Sequence, residues 1–128
     1  MLKMNVNLGE RSYPIYVALD FSNISKVWPG FKRSEKIMVI TDSNVKAIYL
    51  DECVGELSKT GAKVFSHVIP AGEKSKNLNT VANIYRELIS HKFDRNCALA
   101  ALGGGVVGDI TGFAAATYMR GIPFIQIP

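Results

Sequence analysis

Three groups of residues in this chain have the types and spacing to hold a phosphorylated nucleotide. The first is Gly103-Gly104-Gly105-Val106-Val107-Gly108-Asp109. Glycine loses more backbone freedom on folding than any other residue. Four of them in six positions therefore imply a backbone that turns sharply or approaches another group closely. Cys97 to Leu102, just before, is an apolar run with the pattern of a strand buried on both faces. Ile110, Phe113, Ala114 and Thr117, just after, are spaced as one face of a helix. A strand, a glycine turn and a helix start place backbone N–H groups at the positive end of a helix dipole, which suits a phosphate or pyrophosphate.

Gly103, Gly105 and Gly108 also satisfy the pattern G-x-G-x-x-G. A dinucleotide fingerprint further asks for an acidic residue roughly 20 positions later, to hold a ribose hydroxyl. No Asp or Glu follows Asp109, and the glycines follow a late strand, not the first. An ordinary Rossmann assignment fails on both counts, although a nucleotide-type anion site survives. A tight strand-to-helix turn without a ligand is the alternative.

The other two groups are Asp42-Ser43-Asn44 and Gly72-Glu73-Lys74-Ser75-Lys76. Asp42 and Glu73 are carboxylates able to accept hydrogen bonds from ribose hydroxyls, and Asn44 offers both donor and acceptor, as an adenine edge or a ribose needs. Lys76 is a point charge for a phosphate. Each also has a plainer reading: Asp42 and Asn44 as helix caps, Glu73 and Lys76 as a solvated pair, Asp109 as an acid favoured by the helix dipole.

These residues must be positioned by the elements around them. Leu2 to Leu8 and Tyr13 to Leu19 alternate as two strands, with Gly9-Glu10-Arg11-Ser12 as a hairpin turn. Phe21 to Val27 reads as a short helix ended by Trp28-Pro29-Gly30. Lys36 to Thr41 is a buried-strand pattern, followed by a helix presenting Val45, Ile48, Tyr49, Cys53 and Leu57 and closed by Gly61. Ala62 to Ile69 is the next strand. Pro70 breaks it, and a helix with the stripe Leu78, Val81, Tyr85, Leu88 and Ile89 follows. The last helix is expected to end near Arg120-Gly121, before a strand over Pro123 to Ile127. Strand and helix alternate, which predicts a parallel α/β sheet. In such a sheet ligands sit outside the carboxyl ends of the strands, where all three residue groups fall.

The whole chain sets bounds. Its 128 residues suffice for one domain and are too few for two. The longest apolar stretches are strand-length, so no membrane span is expected. Lys3, Asn5, Asn7, Glu10 and Arg11 interrupt the apolar core that a signal peptide would need, which makes the cytoplasm the default location. Cys97 reads as a small buried hydrophobe, Cys53 lies in a helix, and their spacing matches no disulfide or metal motif. His67 and His91 stand apart from other ligand types, so no metal site is expected. The net charge of +4 comes from scattered residues without interleaved aromatics, which disfavours nucleic acid and suits a phosphorylated or carboxylated small molecule.

The stretch Gly103 to Ala115, the later Tyr118-Met119-Arg120-Gly121-Ile122-Pro123 and the early Leu8-Gly9-Glu10-Arg11-Ser12-Tyr13-Pro14-Ile15 resemble the 3-dehydroquinate synthase family, within the sugar-phosphate cyclases. Pro70 to Lys76 resembles the same family's Pro-x-Gly-Glu-x-x-Lys loop. The resemblance runs along essentially the whole chain. It implies a Rossmann-like, mostly parallel sheet flanked by helices with an N-terminal β-hairpin, forming the NAD-binding half of a two-domain homodimeric enzyme. That enzyme converts the sugar phosphate DAHP to 3-dehydroquinate in the shikimate pathway, using NAD and a divalent metal (zinc or cobalt). It assigns NAD contact to Asp42, Asn44, Glu73, Lys76, Gly104, Gly105, Val106 and Asp109. Gly72, Gly103, Val107 and Gly108 join them through the loops they share. Arg120 matches an arginine on substrate phosphate, reaching across the dimer interface. No catalytic residue is assigned within residues 1–128, and the metal ligands lie beyond them in the family. The end at Pro128, on an apparent strand, leads us to expect a fragment, inactive alone and truncated before the helical second domain. The competing readings are a sibling cyclase of the deoxy-inosose or valiolone type, a stand-alone nucleotide-binding module, and a glycerol-dehydrogenase-like enzyme.

Overall fold

The computed structural model describes residues 1–27 and 34–128. The expected helix stop at Trp28-Pro29-Gly30 lies outside the described residues. Strands β1 (Leu2–Val6) and β2 (Tyr13–Val17) pair antiparallel as the expected hairpin. Between them Gly9–Arg11 makes a single 3₁₀ turn with Gly9 at φ 64°. The Ser12 hydroxyl fastens this turn, accepting from Leu8 N–H at 2.9 Å and donating to the Gly9 carbonyl at 2.7 Å. The short helix α1 (Ile24–Val27) leads toward the main sheet.

From there strands and helices alternate: β3 (Lys36–Asp42), α2 (Ser43–Ser58), β4 (Lys63–Ile69), α3 (Leu78–Ser90), β5 (Ala98–Leu102), α4 (Gly105–Thr117) and β6 (Phe124–Ile127). The four strands form one parallel sheet in the order β4-β3-β5-β6. Helices cover both faces, which is why β3 and β5 are apolar without interruption over Ile37–Ile40 and Ala98–Leu102. Alternate residues go to opposite layers. Ile37, Val39, Ala100 and Leu102 pack with Leu50, Cys53 and Leu57 of α2. Met38, Ile40, Leu99 and Ala101 pack with Val81, Ile84 and Leu88 of α3 and with Val107, Ile110 and Ala114 of α4.

Which side of each helix is buried departs from the spacing read in the sequence. Ile48 and Tyr49 of α2, Leu78 and Ile89 of α3 and Phe113 of α4 are all exposed, as is Thr117. Every helix carried more apolar positions than one sheet can cover. The choice among overlapping stripes was made by the strands beneath them. Helix α4 is apolar nearly all round, so its own pattern could not select the buried face Val107, Gly108, Ile110, Thr111, Ala114 and Ala115. It also ends at Thr117, short of Arg120. The following 3₁₀ turn, Tyr118–Arg120, has Met119 and Arg120 at φ 50° and 65°, which stops the helix. Tyr118 anchors that turn by donating its hydroxyl to the Phe93 carbonyl at 2.7 Å. Among the described residues no helix is long and apolar enough to cross a membrane.

Candidate functional site

Strand order creates the site. The chain goes outward from β3 to β4, returns over β3 to β5, and then continues outward to β6. The direction reverses between β3 and β5, and a parallel sheet opens a crevice at such a point beyond its carboxyl ends. Register brings those ends level: Asp42 is opposite Ile69, Thr41 opposite Leu102, and Leu102 opposite Ile127. The buried Thr41 hydroxyl donates to the Leu102 carbonyl at 2.7 Å, and Gly103 N–H donates to the Ile127 carbonyl at 3.1 Å. The strand ends are thus tied together immediately behind the glycine turn.

Each glycine of that turn has its own task. Gly103 has φ +153°, and a Cβ placed on it would come within 3.0 Å of Val107 Cγ2. Gly104 and Gly105 face open space, with nothing within 4 Å of an added Cβ. Gly108 packs against β6, where a Cβ would lie 3.3 Å from Gln126 Nε2. A tight turn, a bare backbone that a ligand can approach, and close helix–strand packing are the three uses of glycine in a dinucleotide turn. Here they occur after β5, and not after the first strand of the sheet.

Gly103 N–H is taken up by Ile127, but the start of α4 has no side-chain cap. Helix α2 is capped by Asp42 and α3 by Asn77, but no side chain caps α4. The opening N–H groups of a helix have no acceptor within it, so those of α4 face the cleft. That cleft, of about 240 Å³, is lined by Gly103, Gly104, Gly105, Gly108, Asp109 and Gln126, among others. Its bare glycines and uncapped amides fit a pyrophosphate.

The loop after β4 is fixed beside the turn. Ala71 N–H donates to Ser43 Oγ at 3.1 Å, the Ser75 hydroxyl donates to the Pro70 carbonyl, and Gly72 bends at φ +106° into a 3₁₀ turn over Glu73–Ser75. Lys76 Nζ then meets Asp109 Oδ2 at 2.6 Å. The hydrogen bond and charge of Asp109, with the charge of Glu73, hold the Lys76 ammonium above the ordinary lysine value. Two loops expected to share a ligand are therefore joined directly, across the end of β3.

The other expected site residues are placed less uniformly. Asp42 caps α2, its Oδ1 accepting from Asn44 N–H at 2.8 Å and Val45 N–H at 2.9 Å. Asn44 and Glu73 lie exposed near the same edge. Val106 is half-buried, whereas Val107 is fully buried in the core and Gly108 N–H is bonded to the Gly104 carbonyl. Those last two shape the turn through packing. Arg120 lies beyond the far end of α4, about 20 Å from the turn at 1.5 Å per helical residue. The structure does not bring it to the cleft.

Gln126 was missed in the sequence. Its signal was a lone polar residue within the apolar strand Phe124-Ile125-Gln126-Ile127. His91 stacks on Phe65 with ring centroids 4.1 Å apart, while burial holds half-buried His67 below the ordinary histidine value. Among the described residues no three His, Cys, Asp or Glu side chains are grouped to hold a metal. Cys53 and Cys97 are buried and unpaired.

Comparison with known proteins agrees with the motif resemblance. Residues 66–128 match the family described as 3-dehydroquinate synthase N-terminal. Over all 128 residues the chain is 55% identical to the 3-dehydroquinate synthase of Acetivibrio thermocellus, 50% to that of Ruminiclostridium cellulolyticum and 42% to that of Shewanella frigidimarina. It spans 36% of the length of each of these relatives. Among solved structures it is similar to 2-deoxy-scyllo-inosose synthase complexed with carbaglucose-6-phosphate, NAD+ and Co2+. That match has a TM-score of 0.89 at 25% identity, covering 99% of this chain and 35% of the other. It also resembles the 2-epi-5-epi-valiolone synthase of Streptomyces hygroscopicus with NAD+ and Zn2+ bound, at TM-score 0.65 and 28% identity over 74% of this chain and 27% of that one.

Proposed function

From the chain's kinship with the N-terminal part of 3-dehydroquinate synthases, we propose that residues 1–128 are the NAD-binding domain of such an enzyme. The enzyme's reaction is the cyclisation of DAHP to 3-dehydroquinate with loss of phosphate, a lyase step of aromatic amino-acid biosynthesis. The observation carrying the cofactor assignment is the glycine turn: bare backbone at Gly104 and Gly105 below an uncapped helix, at the reversal point of the sheet. Sibling cyclases share this fold at 25–28% identity, against 42–55% for the 3-dehydroquinate synthases, so the latter reading is preferred.

In this reading the amides of Gly104, Gly105 and Val106 hold the pyrophosphate, and Lys76 supplies a cation beside it. Asp42, Asn44 and Glu73 offer hydrogen-bonding groups to the adenosine half, and Asp109 keeps Lys76 in place. Bound NAD would supply transient oxidation of a substrate carbinol. The described residues offer no cluster suited to the divalent metal of the family, zinc or cobalt, and none is given a role in holding it. We therefore assign this chain to cofactor binding and not to turnover by itself. A homodimer, with Arg120 on substrate phosphate across its interface, follows from the resemblance. Two buried, unpaired cysteines suit a cytoplasmic protein.

The test is calorimetry with NAD on the chain and on its Gly105→Val variant. A Cβ at Gly105 meets nothing within 4 Å, so the fold should survive while the approach of phosphate is blocked. Saturable binding by the parent chain and its loss in a variant of unchanged Tm is the expected result. Equal binding by both would refute the assignment of the turn.

A further inference from the structure

A helical glycine and an exposed carboxamide meet at one border of the cleft. Gly108 lies within α4, where glycine costs about 1 kcal/mol relative to alanine. Gln126 is a polar residue on the face of β6 that α4 covers, paired in register with Ala101 of the core. Each accounts for the other. A Cβ at Gly108 would lie 3.3 Å from Gln126 Nε2 and 3.7 Å from its Cδ, so the missing side chain makes room for the carboxamide. The Gln126 side chain is exposed and lines the cleft, and among the described residues its amide has no hydrogen-bond partner. A carboxamide open to the cleft at that point has both a donor and an acceptor to offer a ligand.

The strand order says which part of the ligand it meets. A pyrophosphate on the glycine turn must send its two nucleosides in opposite directions along the sheet edge. On the β3 and β4 side stand Asp42, Asn44, Glu73 and Lys76; on the β6 side Gln126 stands against α4. We propose that Gln126 is a binding residue for the nicotinamide nucleoside of the dinucleotide, its carboxamide pairing with the carboxamide of that base. The proposal rests on the dinucleotide reading given above.

The experiment compares NAD with ADP, which carries only the adenosine half and two phosphates, on the full chain and its Gln126→Met variant. Methionine keeps an unbranched side chain against Gly108 and removes the amide. NAD affinity should fall about tenfold, the scale of a lost hydrogen bond, while ADP affinity and Tm stay as in the parent. Unchanged NAD affinity, or equal loss for NAD and ADP, would overturn the role of Gln126. Failure of the parent chain to bind ADP as well as NAD would instead sink the assignment of the turn, and this proposal with it. Gln126→Asn, which keeps the carboxamide on a shorter arm, should recover part of the NAD affinity; no recovery over methionine also counts against it.

Discussion

Lys76 and Asp109, 33 positions apart in sequence, form an ion pair of 2.6 Å that joins the loop after β4 to the second turn of α4. The pair is exposed, so its value lies in placing a cation beside the glycine turn more than in stability. Lys76→Met is expected to weaken NAD binding about tenfold, as for a lost charge-assisted hydrogen bond, with no measurable change in Tm. In a double-mutant cycle with Asp109→Asn, the two losses should overlap, the double variant binding about as weakly as the poorer single one. Additive losses in calorimetric Kd values would show that the residues act separately.

The pair has a defined pH range. The Lys76 ammonium is held above its ordinary value of 10.5, so the attraction is complete at neutral pH and is lost only as alkali strips the lysine. NAD affinity at low salt should therefore stay flat from neutrality up to about pH 10 and decline only as the pH passes 10.5. A decline already present below pH 8 would point to another group.

Glycines a single residue apart should respond oppositely. Gly103→Ala forces a Cβ toward Val107 from a backbone at φ +153°, and is expected to destabilise by about 1–3 kcal/mol. Gly104→Ala meets nothing within 4 Å and should leave the urea midpoint unchanged while weakening NAD binding. The two variants together separate folding from binding at one turn.

The tie behind the turn is also measurable. Thr41→Val removes the hydroxyl that donates to Leu102 within the buried sheet, at an expected cost of about 1–2 kcal/mol by urea denaturation. Leu99→Ala, at a wholly buried position one layer deeper, should cost about 2–5 kcal/mol. Phe113→Ala, at an exposed position, should stay within about 0.5 kcal/mol.

Burial, with a smaller contribution from the Glu52 charge, pushes the Cys53 thiol up to about 12. The native thiol stays protonated where the unfolded one, near 9.0, ionises. Stability should thus be unaffected by Cys53 below pH 9 and fall as pH climbs toward 12. Iodoacetamide at pH 8 should leave Cys53 unmodified until denaturant is added; rapid native labelling would contradict its burial.

The order of strands and helices, the hairpin and the nucleotide-type turn were all written locally. Uninterrupted apolar runs such as Ala98–Leu102, the break at Pro70 and the cluster Gly103-Gly104-Gly105 act through neighbouring residues, and their meaning survives in one dimension. Tertiary structure decided what depends on distant partners. It chose the buried sides of α2, α3 and α4, because each helix offered more apolar positions than the sheet could cover. It paired Lys76 with Asp109 and left Arg120 at the opposite end of α4 from the turn. It also brought Gln126 of β6 against Gly108 of α4. No spacing along the chain encodes that contact, since it exists only where a helix lacking one side chain lies across a strand that carries a polar one.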